Sequence, residues 1–587
     1  MLPTTCWELS KTDEENKNIL IKELGINPVT SQILINRGLT KTAEAKSFLF
    51  PSLKDLHNPF LLKDMAEAVE RTIKALHDGE KIAIYGDYDA DGITATAILV
   101  KFLRHLQEDV SYYIPDRITE GYGLNTNAID KINGNGIGLI ISVDCGISDV
   151  EEVKHARSAG IDVIILDHHE VPTILPECVA IVNPNRDDCT FPFRHLAGVG
   201  VAFNFIIALR GKLRGLGFWK DSNYPNLRDY MDLVALGTIG DLSPLVDENR
   251  IFAKIGLEII NERKRVGLNA LRKQCGLEND FIDSDAASFN LIPRINAAGR
   301  VGLPENAVRL LLTEDMDEAA KLAAQLDSYN RERQNLERSI LDEVIVLIES
   351  KTNSIDGDNS FIFASSNWHP GVIGIVCSKV VDLYYRPTIL ISLKNGIGKG
   401  SGRSIGEFNL YNGLKEVCSS LLLSYGGHRY AAGISIKEED IEAFSKCFFE
   451  AVDKECDKSS FVRKTVIDAE CTLKDINYDL ISQIEILSPF GNYNPEPVLS
   501  AKNVKIASIS TVGNNHLKMR LKGEGMNYDS IWFSRGQFSD TLSGSVVDVA
   551  FTPQINTWRG SSSIQLKMKD MALSVLAIDR VQNKQPF

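Results

Sequence analysis

The chain has no CxxC pair: its ten cysteines stand scattered at positions 6, 145, 178, 189, 275, 377, 418, 447, 456 and 471. That scatter excludes a zinc ribbon, argues against a disulfide scaffold and suits thiols kept reduced. No apolar run reaches the roughly 18 residues needed to span a membrane, and MLPTTCWELSKTDEENK lacks the basic-then-apolar order of a secretion signal. A cytoplasmic protein with no membrane partner is expected. Positive charge is also short. With 64 Lys and Arg against 78 Asp and Glu, the net charge is −14, which by itself disfavours a nucleic-acid partner, because phosphates need local cations. The deficit is uneven: residues 461–587 hold 14 Lys and Arg against 12 Asp and Glu, so the acidic excess belongs to the first 460. An acidic portion that binds divalent cations remains compatible with a polyanionic substrate.

What is present is core material. The 587 residues are 44% hydrophobic, enough for three or four domains. From about 81 to 245, strand-like runs (KIAIY, VSYYI, GLIISVD, VDVIILD, AIVNP) alternate with helical ones, the pattern of a mostly parallel α/β sheet. Residues 313–350 contain no Gly or Pro and predict a long connecting helix. A second α/β unit follows, with FIFASS, NWHPG, VIGIVCSKVVDLYY, PTILISL and a glycine-rich GIGKGSGRSIG. After about 460 come short strands and polar turns, which suggest a C-terminal OB-fold β-barrel. The expected boundaries are an N-terminal segment 1–45, a first α/β domain 46–312, the helix 313–350, a second α/β domain 351–458 and the barrel 459–587.

The densest negative charge is GDYDADG, residues 86–92. Asp87, Asp89, Asp91 and Gly92 match positions 1, 3, 5 and 6 of an EF-hand loop, but position 12 is Ile98 rather than Glu, and KIAIY before it alternates like a strand. The calcium reading fails. Other carboxylates also end apolar runs: Asp144 in LIISVDCG, Asp167 in VIILDHHE with His168 and His169, and Asp241 in ALGTIGDLSPL. In open parallel sheets, ligands bind beyond the carboxyl ends of strands. A single Asp at such a junction is most simply a helix cap. Several converging without basic partners would repel one another unless divalent metal joined them, and added imidazole favours Mn²⁺ or Mg²⁺ over calcium. Cys145, beside Asp144, reads as a packed thiol.

The set DYDADG, SVDCG, LDHHE and GTIGDLSPL resembles the four motifs of the DHH phosphoesterases, and GGHRYAAG (426–433) resembles the signature of their companion DHHA1 domain. The further segments PDRITEGYGL, LIPRINAAGR, NRERQ, NWHPGVIGIV, GSGRS and SPFGNYNPEP are similar to those of the superfamily's single-strand-specific 5′ to 3′ exonucleases. The resemblance implies a DNA repair and recombination enzyme that hydrolyses single-stranded DNA to 5′-mononucleotides with two Mn²⁺ or Mg²⁺ ions. It implies metal ligands Asp89, Asp91, Asp144, His168 and Asp241, with Asp87 a ligand or an orienting acceptor and His169 beside the scissile phosphate. Arg117, Ser401 and Arg403 would hold a 5′ phosphate, with glycine N–H groups around Ser401 free for anion contact. Arg294 and Arg300 would hold phosphates near the metals, Arg300 acting in the catalytic step, and His428 and Arg429 would reach the substrate from the second domain. A Gly-Ser-Gly hairpin is the plain alternative for the Ser401 segment. Lys518, Arg520, Trp532 and Phe533 are candidates for a single-strand surface on the barrel, although alternating core residues explain the aromatics too. A helicase and a single-strand-binding protein are expected partners. Two departures stand out: Tyr85 replaces the histidine that smaller DHH phosphatases place before the first motif, and Tyr493 replaces the second glycine of the usual PFGxGNPEP. The rival readings are a DHH phosphodiesterase for short oligonucleotides or cyclic dinucleotides, and a non-catalytic scaffold, which the full ligand set disfavours.

Overall fold

A computed structural model describes residues 6–219, 224–351, 359–513, 515–558 and 561–574. The chain divides into two compact units, Leu53–Phe461 and Met1–Ser52 with Val462–Phe587.

The larger unit begins with a five-stranded sheet whose order is Val110–Tyr113, Lys81–Gly86, Ile137–Val143, Asp162–Leu166 and Ala180–Val182. Every neighbouring pair is parallel. The inner strands IAIYG, LIISV and VIIL are buried along almost their whole length, as parallel strands covered on both faces must be. All their carboxyl ends lie at one edge, so the loops carrying Asp87, Asp144 and Asp167 emerge together. Helix Ala90–Arg104, which follows the first of these loops, is apolar nearly all round because it is buried nearly all round. Helix Met231–Gly240 packs against it. The approach is close enough that a Cβ on Gly237 would stand 2.3 Å from Thr94 Oγ1 and 2.9 Å from Asp91 Oδ1. The run before Asp241 is therefore a buried helix, not a further strand, and Asp241 is its C-terminal cap residue.

Helix Met316–Lys351 spans 36 residues, about 54 Å at the standard rise, and contacts both Ile292–Val301 and Ile373–Tyr384. The second sheet is mixed, in the order Leu422–Gly427, Ala431–Lys437, Ile397–Arg403, Thr388–Lys394 and Phe361–Ser365, with only the last pair parallel. Here one expectation changes. GKGSGR is a central strand rather than a turn, with Ser401 opposite both Gly433 and Leu390, so its backbone groups serve the sheet and are not free for an anion. Its glycines instead make room for neighbours: a Cβ on Gly400 would meet Ile434 Cγ1 at 2.5 Å.

In the smaller unit a six-stranded sheet closes on itself through the pairing of Leu499–Val512 with Val546–Trp558. The helices of the N-terminal segment, Glu14–Leu24, Pro28–Asn36 and Thr42–Leu49, bury Leu20, Ile33 and Leu34 in the same core as Leu499 and Phe551. The first strand, Cys6–Leu9, pairs in parallel with Lys464–Ile467. Tyr493 has φ 61°, so the left-handed turn that a glycine would make freely is kept by a tyrosine under some strain. Of the barrel candidates, Trp532 is a core residue stacked on Phe538. Phe533 is outside, beside His516. Lys518 and Arg520 alternate on one exposed face with buried Leu517, Met519 and Leu521.

Candidate metal centre

Among the described residues, three sets of side chains bring ligand atoms within 4.8 Å of one another: Asp87, Asp89 and Asp144; Asp144, His168 and His169; and Asp91, His168 and Asp241. Shared members join them into one cluster. Every ligand expected from the four motifs is in it, with Asp87 and His169, whereas Asp167 is not.

Local structure explains each position. Asp89 caps helix Ala90–Arg104, its Oδ1 accepting from the N–H groups of Asp91 (2.9 Å) and Gly92 (3.2 Å), so the capping reading of this residue is also correct. Gly92 must be glycine because a Cβ there would lie 2.6 Å from the Asp87 backbone. Asp91 is 1% exposed and accepts from Gly198 N (2.7 Å) and Val199 N (2.8 Å), the first residues of helix Gly198–Gly215, where N–H groups and the dipole favour an anion. Asp144 sits at φ 60°, a strained position for a non-glycine residue and typical of functional sites. Its Oδ1 lies 3.1 Å from His168 Nε2, and its carbonyl accepts from the Tyr122 hydroxyl at 3.1 Å. Asp241 accepts from Ser243 Oγ at 2.5 Å. Helix Ile292–Val301 closes over the first motif, with Asn296 Oδ1 accepting from Ala90 N at 2.8 Å.

The electrostatics show what is missing from protein alone. Burial, then Asp241, pushes the Asp91 carboxyl up to about 7. Burial, then neighbouring carboxylates, holds Asp144 and Asp87 well above the usual range, and burial raises Asp241. Asp87 Oδ1 is buried and has no hydrogen-bond partner, an oxygen that costs free energy until something binds it. An oxygen-rich, imidazole-containing set with such an orphan fits hard divalent cations. Asp167 behaves differently. Although burial would raise it, the hydrogen bond and charge of His169 bring it down to about 2. It accepts from the N–H groups of Ile147, His168 and His169 and from His169 Nδ1 at 2.7 Å. Burial opposes protonation of His169, yet Asp167 lifts it to about 9, so it is an imidazolium at neutral pH. Asp167 and Tyr122, whose hydroxyl lies 3.1 Å from His169 Nδ1, were not singled out as functional from the sequence. The DHH triplet itself signalled the first; nothing marked the second.

A second charged group faces the cluster. Arg300 is lowered to about 10 by burial and by Arg117, and Arg403 is lowered by burial and by Arg117. No ion pair of Arg117, Arg300 or Arg403 with a carboxylate occurs among the described residues. Arg300 donates to Gly371 O at 2.9 Å, Arg403 lies 3.3 Å from Ser401 Oγ, and Arg117 stands over the Tyr88 ring at 4.9 Å. Arg294 is different. It is tied to Asp327 (2.8 Å) and to Asn290 O (2.7 Å), contacts that brace the long helix, and none of its polar contacts reaches the cluster. His428 Nδ1 meets Glu170 Oε1 at 3.1 Å, bringing the second domain to the LDHHE loop, whereas Arg429 donates to Gly406 O at 2.6 Å within its own domain. Tyr85 is turned away into the core, its hydroxyl donating to Gly123 O at 3.0 Å.

This fold and this cluster define a metal-dependent phosphoesterase of the DHH class. The DHH family N-terminal domain matches residues 81–238, the DHHA1 domain 358–454 and the RecJ OB domain 467–570. The chain belongs to the RecJ family. It is 39% identical over 573 residues to the single-stranded-DNA-specific exonuclease RecJ of Bacillus subtilis (strain 168), covering 97% of this chain and 71% of that protein. Crystal structures of RecJ from Thermus thermophilus in complex with Mn²⁺ and with Mg²⁺ superpose with TM-scores of 0.82 and 0.76, at 29% and 28% identity, over 97% of this chain and 80% and 79% of theirs. Among the described residues no helix is long and apolar enough to cross a membrane.

Proposed function

We propose that the protein is a single-stranded-DNA-specific exonuclease that degrades 5′ to 3′, releases 5′-mononucleotides and serves DNA repair and recombination in the cytoplasm. The observation that carries the reading is the pairing, on one unit, of a carboxylate cluster with an orphaned buried oxygen and a set of guanidinia without carboxylate partners. The first lacks cations and the second lacks anions; divalent metal and a phosphorylated 5′ end supply both.

Asp89, Asp91, Asp144, His168 and Asp241 would hold Mn²⁺ or Mg²⁺, and the Asp87 oxygen would accept from a water or take a place among the ligands. Two such ions neutralise phosphate charge and bring the pKa of water toward neutrality. The chain's own residues then do three things. Arg117, Ser401 and Arg403 grip the terminal 5′ phosphate, which carries more charge than an internal one, and so set the end from which cutting proceeds. Arg300, between that grip and Asp89, holds the scissile phosphate. His169, kept protonated by Asp167 at Nδ1, offers its Nε2 proton to the departing 3′ oxygen. A helicase that opens duplex and a single-strand-binding protein that keeps it open are the partners this chemistry calls for. Lys518, Arg520 and Phe533 offer the barrel's surface for the strand.

Digestion of a 5′-phosphorylated single strand with Mn²⁺, labelled at one end or the other, tests the reading. Labelled mononucleotide should appear at once from the 5′-labelled strand and late from the 3′-labelled one. Early release from the 3′ end, or equal attack on blunt duplex, contradicts it, and activity confined to dinucleotides favours the short-substrate alternative.

A further inference from the structure

A cavity of about 280 Å³ lies beside the metal centre. One wall is Gly240 and Leu242, on either side of Asp241, and Asn296, which is bonded to Ala90 of the DYDADG loop. Arg300 and Ile375 also line the cavity, the latter next to Gly374, where a Cβ would lie 2.8 Å from Ser401 Oγ and 3.3 Å from Arg403 Nη2. The cavity therefore stands between the proposed grip on the 5′ phosphate and the cluster where the next phosphate is cut. Its size suits one nucleoside, since pockets for larger, drug-sized ligands start at roughly 300 Å³.

We propose that this cavity receives the nucleoside of the 5′-terminal residue and so fixes the unit of cutting at one nucleotide. The inference rests on the exonuclease reading above. Its lining would accept any base. Leu242, which lines the cavity, is held at φ 60° and is 69% exposed, an apolar surface maintained against backbone strain. Arg333 lines the cavity, but its Nη1 and Nη2 are occupied by Glu337 (2.7 Å) and Asn330 (2.8 Å). It offers a flat cationic face rather than a phosphate clamp, and every base has a face to lay against it.

The test uses Mn²⁺ and 5′-phosphorylated single strands that are intact or carry a tetrahydrofuran abasic residue at the first or the second position. For the full-length protein, kcat/KM for release of the first residue should fall about tenfold when that residue is abasic, the scale of one lost base contact, and change little when the second is. Ile375→Trp and, separately, Ser288→Phe, at a further lining residue, should fill the cavity, slowing the intact strand about tenfold while cutting the first-position abasic strand as wild type does. Equal cutting of intact and first-position abasic strands by wild type overturns the proposal, as does a sensitivity that moves to the second residue or variants that slow both strands alike. The wild-type comparison decides even if neither variant folds. Absence of 5′ mononucleotide from every strand would instead mark failure of the exonuclease reading itself.

Discussion

The carboxylates around Asp91 outnumber the imidazoles beside them and the guanidinia around Arg300 have no carboxylate partner, so both are sets of like charges, yet burial treats them differently. It drives buried carboxyls up, Asp91 to about 7, so near neutrality Asp91 exchanges its charge for a proton. It lowers Arg300 only to about 10, so the arginines stay charged. One half of the site competes with protons for its ligand and the other does not. Metal loading should therefore follow the protonation of the protein's own carboxyls, whereas recognition of the 5′ phosphate should follow only the phosphate's second ionisation, near pH 6.

The largest effect expected from breaking this contrast is Asp144→Ala. It should lower hydrolysis by at least about a thousandfold while leaving the melting temperature unchanged or higher, because it removes a repelling carboxylate; steady-state kinetics and calorimetry with and without Mn²⁺ check both halves. Next, His169→Gln should cut kcat about 10²–10⁴-fold with KM for the strand little changed. The wild-type rate should fall as pH rises through about 9, where the His169 proton is lost; a limb absent from wild type would remove His169 as the acid. Arg403→Met should erase a preference for 5′-phosphoryl over 5′-hydroxyl strands, worth about tenfold or more in kcat/KM, at every pH. The smallest effect is on stability. Asp91 has a folded pKa of about 7, above its unfolded one, so the metal-free protein should lose stability as pH rises from about 4 through about 7, and the raised Asp144, Asp87 and Asp241 act in the same direction. Melting curves across that range, with Mn²⁺ restoring stability mainly at the upper end, measure it.

Much of this was legible in the sequence because the chemistry sits in short contiguous motifs. DYDADG, SVDCG, LDHHE and GTIGDLSPL each carry their functional residue next to the turn that aims it, and all their candidate ligands meet in the cluster. Two kinds of feature were not legible. One is pairing at a distance: Arg294 lies in the same LIPRINAAGR segment as Arg300, and only Asp327, 33 residues on, separates a brace from a guanidinium without a carboxylate partner. The other is backbone role. A glycine-rich stretch reads as a turn, but packing against Ile434 and Ile391 makes GKGSGR a central strand, and the alternation that hid Trp532 in the barrel core exposed Phe533.

The central claim is that one carboxylate and imidazole cluster holds two divalent ions. Anomalous scattering at the manganese edge, from crystals grown with Mn²⁺, tests it directly. Two peaks about 4 Å apart are expected, ligated by Asp89, Asp91, Asp144, His168 and Asp241. A single peak, or peaks away from these residues, would contradict it.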